Sequence, residues 1–271
     1  MVDSIIEVKN LTKTYKVAKK KLSQKATYIH AVKDVSFQVF SGETFGIVGE
    51  SGSGKSTIAH LIMGINKMTD GKINFKGRNI THLSRSENKE LYRQLQIVFQ
   101  DPYSSLNPKR SIEWILTEPL IIHKIGTKEW RKKRVIEVLE EVGLGESYLK
   151  KMPHELSGGQ RQRVVIASAL ILQPEVIIID EGVSSLDVSI QASILNLLND
   201  LKAKHNLTYI FISHDLNVVQ YFCDRIAVVY LGEFIELFHT EEYNQVEHAD
   251  YTEKLFNAIP SVAFSPLDCN Y

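Results

Sequence analysis

The sequence predicts an α/β fold built on a mostly parallel sheet, and three observations carry that expectation. Val176–Ile179 and Tyr209–Ile212 are continuous apolar runs, as expected of parallel strands covered on both faces. Between them Ile190, Ile194, Leu197, Leu198 and Leu201 recur at helical spacing. Near the N-terminus an apolar run passes through a glycine-rich turn into a helical stretch. Strands alternating with helices in this way give a parallel α/β sheet. With 271 residues the chain can bury a full core, as one large domain or as a core with a subdomain.

Taken in order, Ile5–Val8 and Val35–Phe40 alternate apolar and polar residues like half-buried strands. The intervening Lys16–His30 carries lysines at 16, 19, 20, 21 and 25 and reads as a solvated loop. Glu43–Val48 is an apolar strand ending at Gly49, and Ser56–Gly64 is a helical run ending at a glycine. Gly71–Gly77 and Leu95–Phe99 contain two more short strands. Val135, Val138, Leu139 and Val142 then mark one apolar helix face, within a helical insertion at about 101–165. No internal repeat is visible.

Composition narrows the class. Lys+Arg and Asp+Glu both number 32, so net charge gives no argument for nucleic acid or an anionic membrane. Cys223 and Cys269 suggest no disulfide framework and are too few for a cysteine-only metal site. The N-terminus lacks the basic-then-apolar pattern of a signal peptide. The most apolar stretch, Val164–Ile179, is broken by Gln173-Pro174-Glu175 and falls short of the ~20 residues a membrane span needs. The expectation is a soluble protein of a reducing compartment, whose membrane connection runs through a partner.

Gly49-Glu50-Ser51-Gly52-Ser53-Gly54-Lys55-Ser56 has the G-x-x-x-x-G-K-[ST] spacing of a phosphate-binding loop. Strand, glycine-rich turn and helix start together aim backbone N–H groups and a helix dipole at a phosphate. Lys55 would reach the β- and γ-phosphates, the Ser56 hydroxyl would ligate Mg²⁺, and Thr57 completes the candidate set. A flexible Gly/Ser loop with a stray lysine leaves both flanks unexplained. Asp180 and Glu181 end a core strand, where open α/β sheets bind ligands. Asp180 suits an outer contact to Mg²⁺, and Glu181 suits polarisation of an attacking water; a helix-capping acidic pair is the plainer alternative. His214 and Gln100 each follow a strand, candidates for γ-phosphate and for Mg²⁺ or water. Leu156-Ser157-Gly158-Gly159-Gln160 leads into a helix-forming run and offers a second anion site at its start.

In this order the motifs resemble the ATP-binding-cassette (ABC) ATPases, over about residues 5–260. The resemblance adds Tyr15 as an adenine-stacking residue, with Tyr28 as its alternative, and Ser185-Leu186-Asp187 as a further loop of the family. It implies a phosphate-loop ATPase cassette with a mostly parallel core sheet, an N-terminal antiparallel β subdomain, an inserted helical subdomain and a C-terminal extension at about 240–271. ATP and Mg²⁺ are the implied cofactors. Cassettes of this family pair head to tail, so Ser157, Gly158, Gly159 and Gln160 would complete the ATP site of a partner.

Phe99–Pro108, Asp187–Ala192 and His248–Pro260 are similar to the oligopeptide/dipeptide/nickel importer group, in particular its second ATPase subunit. That similarity implies a second cassette, two transmembrane permease subunits and, indirectly, an extracytoplasmic solute-binding protein as partners, with no nucleic acid. It places the chain peripherally at the cytoplasmic face of the membrane. Lys151–Glu155 stands where exporter cassettes tend to carry a Gly/Glu-rich loop. Gly182 replaces a commoner proline and is expected to loosen the turn after Glu181, while lone Cys269 gives no support for the iron–sulfur centre of some relatives. A soluble ABC protein acting on ribosomes or DNA is the competing reading, opposed by the single phosphate loop and the lack of heptads. A cassette without turnover is opposed by the presence of both Glu181 and His214.

Overall fold

The computed structural model describes residues 4–17, 27–182 and 187–257. In chain order the elements begin with β1 (Ser4–Val17), β2 (Thr27–Phe40), β3 (Thr44–Val48), α1 (Lys55–Ile62), β4 (Asp70–Phe75), β5 (Arg78–Asn79) and α2 (Arg85–Gln94). There follow β6 (Leu95–Val98), α3 (Pro102–Ser105), α4 (Ile112–Ile122), α5 (Lys128–Glu141), α6 (Gly158–Leu170), β7 (Val176–Asp180) and α7 (Val188–His205). The last are β8 (Thr208–Ser213), α8 (Leu216–Phe222), β9 (Arg225–Tyr230), β10 (Glu233–His239) and α9 (Asp250–Asn257). The described residues fall into two compact units, one within Met1–His82 and Ile210–Tyr271, the other within Leu83–Tyr209.

In the first unit an antiparallel sheet has the order β2-β1-β4-β5. Val35, Phe37 and Val39 are buried, as the alternating pattern requires, whereas adjacent Ile5 and Ile6 of β1 are both buried where the register of β1 against β2 shifts. The lysine-rich loop expected over 16–30 is shorter than that. Tyr15 pairs with Ile29, Lys16 with Tyr28 and Val17 with Thr27, so both ends of the stretch are strand. Thr27, Tyr28 and Ile29 are β-formers on an exposed ribbon, where the lysine count masked their propensity. Residues 18–26 lie outside the described residues. The wholly buried β3 pairs in parallel with β9, and β9 pairs antiparallel with β10.

The second unit contains the parallel pair β6–β7, from Leu95↔Val176 to Val98↔Ile179. The Glu175 N–H donates to Gln94 O and its carbonyl accepts from Thr208 N, which fixes where these strands start. Helices α4, α5 and α6 pack together, each started by a hydroxyl cap: Ser111, Thr127 and Ser157. The expected apolar face of α5 is fully buried at Val135, Val138, Leu139 and Val142. On α7 Ile194, Leu197, Leu198 and Leu201 are buried, and the buried Tyr209 hydroxyl donates to Leu198 O at 3.0 Å. Burial pushes that phenol well above its usual pKa.

Candidate functional site

The phosphate-loop sequence occupies the turn between β3 and α1, in the first unit. Gly49 has φ 153° and Gly54 φ 111°, backbone conformations that side chains disfavour. A Cβ at Gly49 would sit 2.2 Å from Val229 O, and one at Gly54 2.3 Å from Ala31 O, so neighbouring backbone hugs the loop from both sides. The Gly232 N–H donates to Ser53 O at 2.9 Å, while Gly232 O accepts from Lys33 N at 2.8 Å. The turn joining β9 to β10 therefore braces the loop, and this support was not legible in the motif itself. Tyr251 of α9 packs at a 41° tilt against Tyr230, 4.2 Å between centroids, and its shielded hydroxyl lies beside Glu50.

Lys55 is 3% exposed and its Nζ donates to Gly49 O and Glu50 O, both at 2.8 Å. Glu50, Ser51 and Gly52 are exposed, and Ser56 and Thr57 are half-buried in the first turn of α1. That helix starts at Gly54 with no side-chain cap and no acidic residue in its first turn. The Ser53 hydroxyl oxygen is buried, with no hydrogen-bond partner among the described residues. An uncapped N-terminus, a loop-held ammonium and an orphaned hydroxyl form a donor set that suits an anionic phosphate.

Tyr15 and Tyr28 lie on neighbouring strands, but in adjacent rungs of the ladder, so their rings point to opposite faces of the ribbon. The Lys13 ammonium lies 4.6 Å from the Tyr15 ring centroid, and the Tyr15 hydroxyl accepts from Asn66 Nδ2 at 3.3 Å. Tyr28 is 54% exposed. Exposed His214 directly follows β8, and Asp215 after it caps α8 through the N–H groups of Asn217 and Val218.

In the second unit Asp180 is the buried last residue of β7. Glu181 follows with φ 51°, and its Oε2 accepts a 2.8 Å hydrogen bond from Gln100 Nε2. Gln100 comes two residues after β6 ends, so the parallel pairing of β6 with β7 brings the two together. The Tyr-Ser-Ser segment forms α3, where Asp101 accepts from Tyr103 N and the Ser104 and Ser105 hydroxyls donate to Asp101 O. The sequence Leu156–Gln160 lies at the start of α6. There Ser157 Oγ accepts from Gln160 N, and Gln160 Oε1 accepts from Ser157 N. This capping box engages Ser157 and Gln160 in holding the turn, leaving it to present the N–H groups of Gly158 and Gly159. Ser185 and Leu186 lie outside the described residues, and Asp187 is the exposed N-cap position of α7.

Sequence reasoning missed Arg161. Its guanidinium donates to Pro153 O and Leu156 O and lies 3.6 Å from the Tyr103 ring centroid, fastening the segment after Gln100 to the start of α6. An arginine two residues after a glycine pair was the available signal.

Residues 32–184 match the family described as "ABC transporter". The chain is 45% identical over 263 residues to the oligopeptide transport ATP-binding protein OppF of Bacillus subtilis, covering 96% of this chain and 84% of that protein. It is 44% identical over 261 residues to the dipeptide transport ATP-binding protein DppF of Lactococcus lactis, covering 95% and 81%. Among solved structures, a dimeric post-hydrolysis state of the ATP-binding cassette MJ0796, bound to ADP and Pi, superposes with TM-score 0.76 at 33% identity, covering 87% of this chain and 98% of that one. The cbiO1 protein of Clostridium perfringens, part of the transporter complex cbiONQ, gives TM-score 0.77 at 29% identity, covering 94% and 95%.

Proposed function

The chain belongs to the ABC transporter family, and from that premise we propose that it is the ATP-binding and ATP-hydrolysing subunit of a membrane importer for peptides. The observation that carries the reading is 44–45% identity along nearly the whole chain to oligopeptide and dipeptide transport ATP-binding proteins. None of the described helices is long and apolar enough to cross a membrane. The proposed location is therefore peripheral, on the cytoplasmic face, through two permease subunits and beside a second cassette. A solute-binding protein would deliver the cargo to the permeases.

Within the first unit the loop amides of 49–57 and Lys55 are proposed to hold the phosphates of ATP. Tyr15 is proposed to stack on adenine, Ser56 to ligate Mg²⁺, and His214 to contact the γ-phosphate. Within the second unit Gln100 and Asp180 are the proposed Mg²⁺ contacts, and Glu181 the carboxylate that polarises the attacking water. Its bond from Gln100 supports that role by fixing the orientation of the carboxylate. Bound Mg²⁺ supplies neutralisation of phosphate charge. Ser157 to Gln160 are proposed to act on the nucleotide of the partner cassette; the related cassette MJ0796 is dimeric with ADP and Pi bound.

The test is uptake. Membrane vesicles carrying this chain with two permease subunits and a second ATPase, supplied with the binding protein, should accumulate labelled oligopeptides or dipeptides when ATP is present. ATP-driven uptake of nickel but not of peptides would overturn the cargo class.

A further inference from the structure

Gln162 lies on α6, two residues beyond the Leu156–Gln160 turn, and is 1% exposed. Among the described residues neither its Oε1 nor its Nε2 has a hydrogen-bond partner, although both are shielded from solvent. A primary amide buried with all its donors and acceptors unmet is costly, and native folds rarely keep one without a reason. Its surroundings supply the reason. A Cβ built on Gly182 would lie 3.3 Å from Gln162 Nε2, and 3.1 Å from both Val98 Cγ1 and Ile179 Cγ2. The amide therefore abuts the backbone of the residue that follows Glu181. Glu181 itself has φ 51°, a left-handed conformation that a residue with a side chain holds only when its surroundings impose it. The neighbouring Arg161 meanwhile grips Tyr103 in the segment that follows Gln100. Two successive residues of α6 thus reach the chain segments adjoining both members of the Gln100–Glu181 pair.

We propose that Gln162 is a positioning residue that couples the Leu156–Gln160 turn to Glu181, its amide bonding the Glu181–Gly182 backbone as that turn engages a nucleotide. This rests on the reading of Glu181 and of Ser157–Gln160 given above. In that reading Glu181 serves this chain's own ATP and the turn serves the partner's. Gln162 then links the two ATP sites of the cassette pair through a single buried side chain. The absence of a partner is what a two-position device requires, because a fully bonded amide would lock the turn in one arrangement. Gly182 leaves room for the amide to approach, where a bulkier residue would press on it.

The experiment uses the assembled complex of this chain with its partner ATPase and permeases. Gln162→Met keeps length and shape and deletes only the amide, so the melting temperature should be unchanged or raised. We expect kcat for ATP hydrolysis to fall at least tenfold with KM for ATP unchanged. Gln162→Asn retains an amide but withdraws it by one methylene; it should show the same kcat-specific loss and covers the case in which the Met variant does not fold. Wild-type kcat in either folded variant, with Glu181→Gln inactive, overturns the coupling role alone. Wild-type kcat in Glu181→Gln overturns the reading of Glu181 and the proposal with it.

Discussion

Gln100 Nε2 donates to Glu181 Oε2 at 2.8 Å, joining the residues that follow two parallel strands. The bond gives the carboxylate a fixed orientation before any substrate arrives, which is what a group that polarises water needs. Glu181→Gln keeps the shape but loses the negative charge, so hydrolysis should fall by at least about 10²-fold while nucleotide binding survives. Gln100→Ala removes the orienting bond and a proposed Mg²⁺ contact but keeps the carboxylate, so it should cost less, roughly tenfold in kcat. Steady-state hydrolysis alongside fluorescent-nucleotide binding separates the two; a Glu181→Gln variant turning over at the wild-type rate would remove Glu181 from the chemistry.

Lys55 is buried and bridges the carbonyls of Gly49 and Glu50. Lys55→Ala deletes a contact proposed for the ground state and also releases two loop carbonyls. Nucleotide affinity itself should fall, by tenfold or more, corresponding to about 1.4 kcal/mol. Titration calorimetry with a non-hydrolysable ATP analogue measures this directly. Unaltered affinity would mean that Lys55 serves the loop and not the phosphate.

Much of this was legible in the residues. Val176–Ile179 and Tyr209–Ile212 announced buried strands, and the phosphate loop announced its own strand–turn–helix frame, because apolar runs and glycine spacing act locally. Helix α2 was not foreseen, since only Leu91 of its ten residues is buried. Its signal was the capping box of Ser84 and Glu87. The β9–β10 hairpin was missed because β10 alternates weakly and its turn, Leu231-Gly232, lacks the usual Asn-Gly. Gln162 and Gly232 matter through residues distant in sequence, which no local pattern encodes.

The loop glycines should differ sharply in tolerance. At Gly52 φ is 81° and a Cβ would meet nothing within 4 Å, so Gly52→Ala should cost only the left-handed strain, about 1 kcal/mol. At Gly49 the Cβ would lie 2.2 Å from the Val229 carbonyl, which is backbone and has no rotamer to yield. Gly49→Ala should therefore destabilise by at least about 2–3 kcal/mol. Denaturant unfolding of both variants checks the order, and equal losses would contradict the close approach.

The C-terminal region should respond to pH. His248 Nδ1 faces Glu236 Oε1 and its Nε2 faces Tyr243 O, both at 2.7 Å, so both ring nitrogens meet acceptors and the doubly protonated ring fits best. Burial opposes that charge, but the bonds to Glu236 and Tyr243 outweigh it and the imidazole pKa is raised. Burial likewise opposes the charge on Glu236, and the hydrogen bonds from His248 and the Ala249 N–H outweigh it, so its pKa is lowered. The histidine's contribution is complete below its unfolded value, about 6.5, and is lost as pH rises through its folded value. The glutamate's is present above its unfolded value, about 4.3, and is lost as pH falls through its folded value. The clasp between β10 and α9 should be strongest between about pH 4.5 and 6.5. The melting temperature difference between wild type and His248→Gln should be larger at pH 6 than at pH 8.5; a difference that grows with pH would refute the imidazolium.

The last prediction concerns assembly. The start of α6 presents the N–H groups of Gly158 and Gly159 on a turn closed by its own capping box, while the phosphate loop is a separate anion site with its own uncapped helix. If each nucleotide needs one of each from different subunits, the isolated chain should bind ATP yet hydrolyse it slowly, and activity should rise when the second ATPase and the permeases are added. Ser157→Arg places a bulky cation on the exposed turn, so it should abolish hydrolysis at the partner's site and spare this chain's own nucleotide binding. The substitution also removes a helix cap worth about 1 kcal/mol. Ser157→Ala, which loses the same cap without the bulk, is the necessary control and should keep more of the activity. Hydrolysis by the chain alone at high dilution, at the rate of the full complex and indifferent to Ser157→Arg, would refute a shared site.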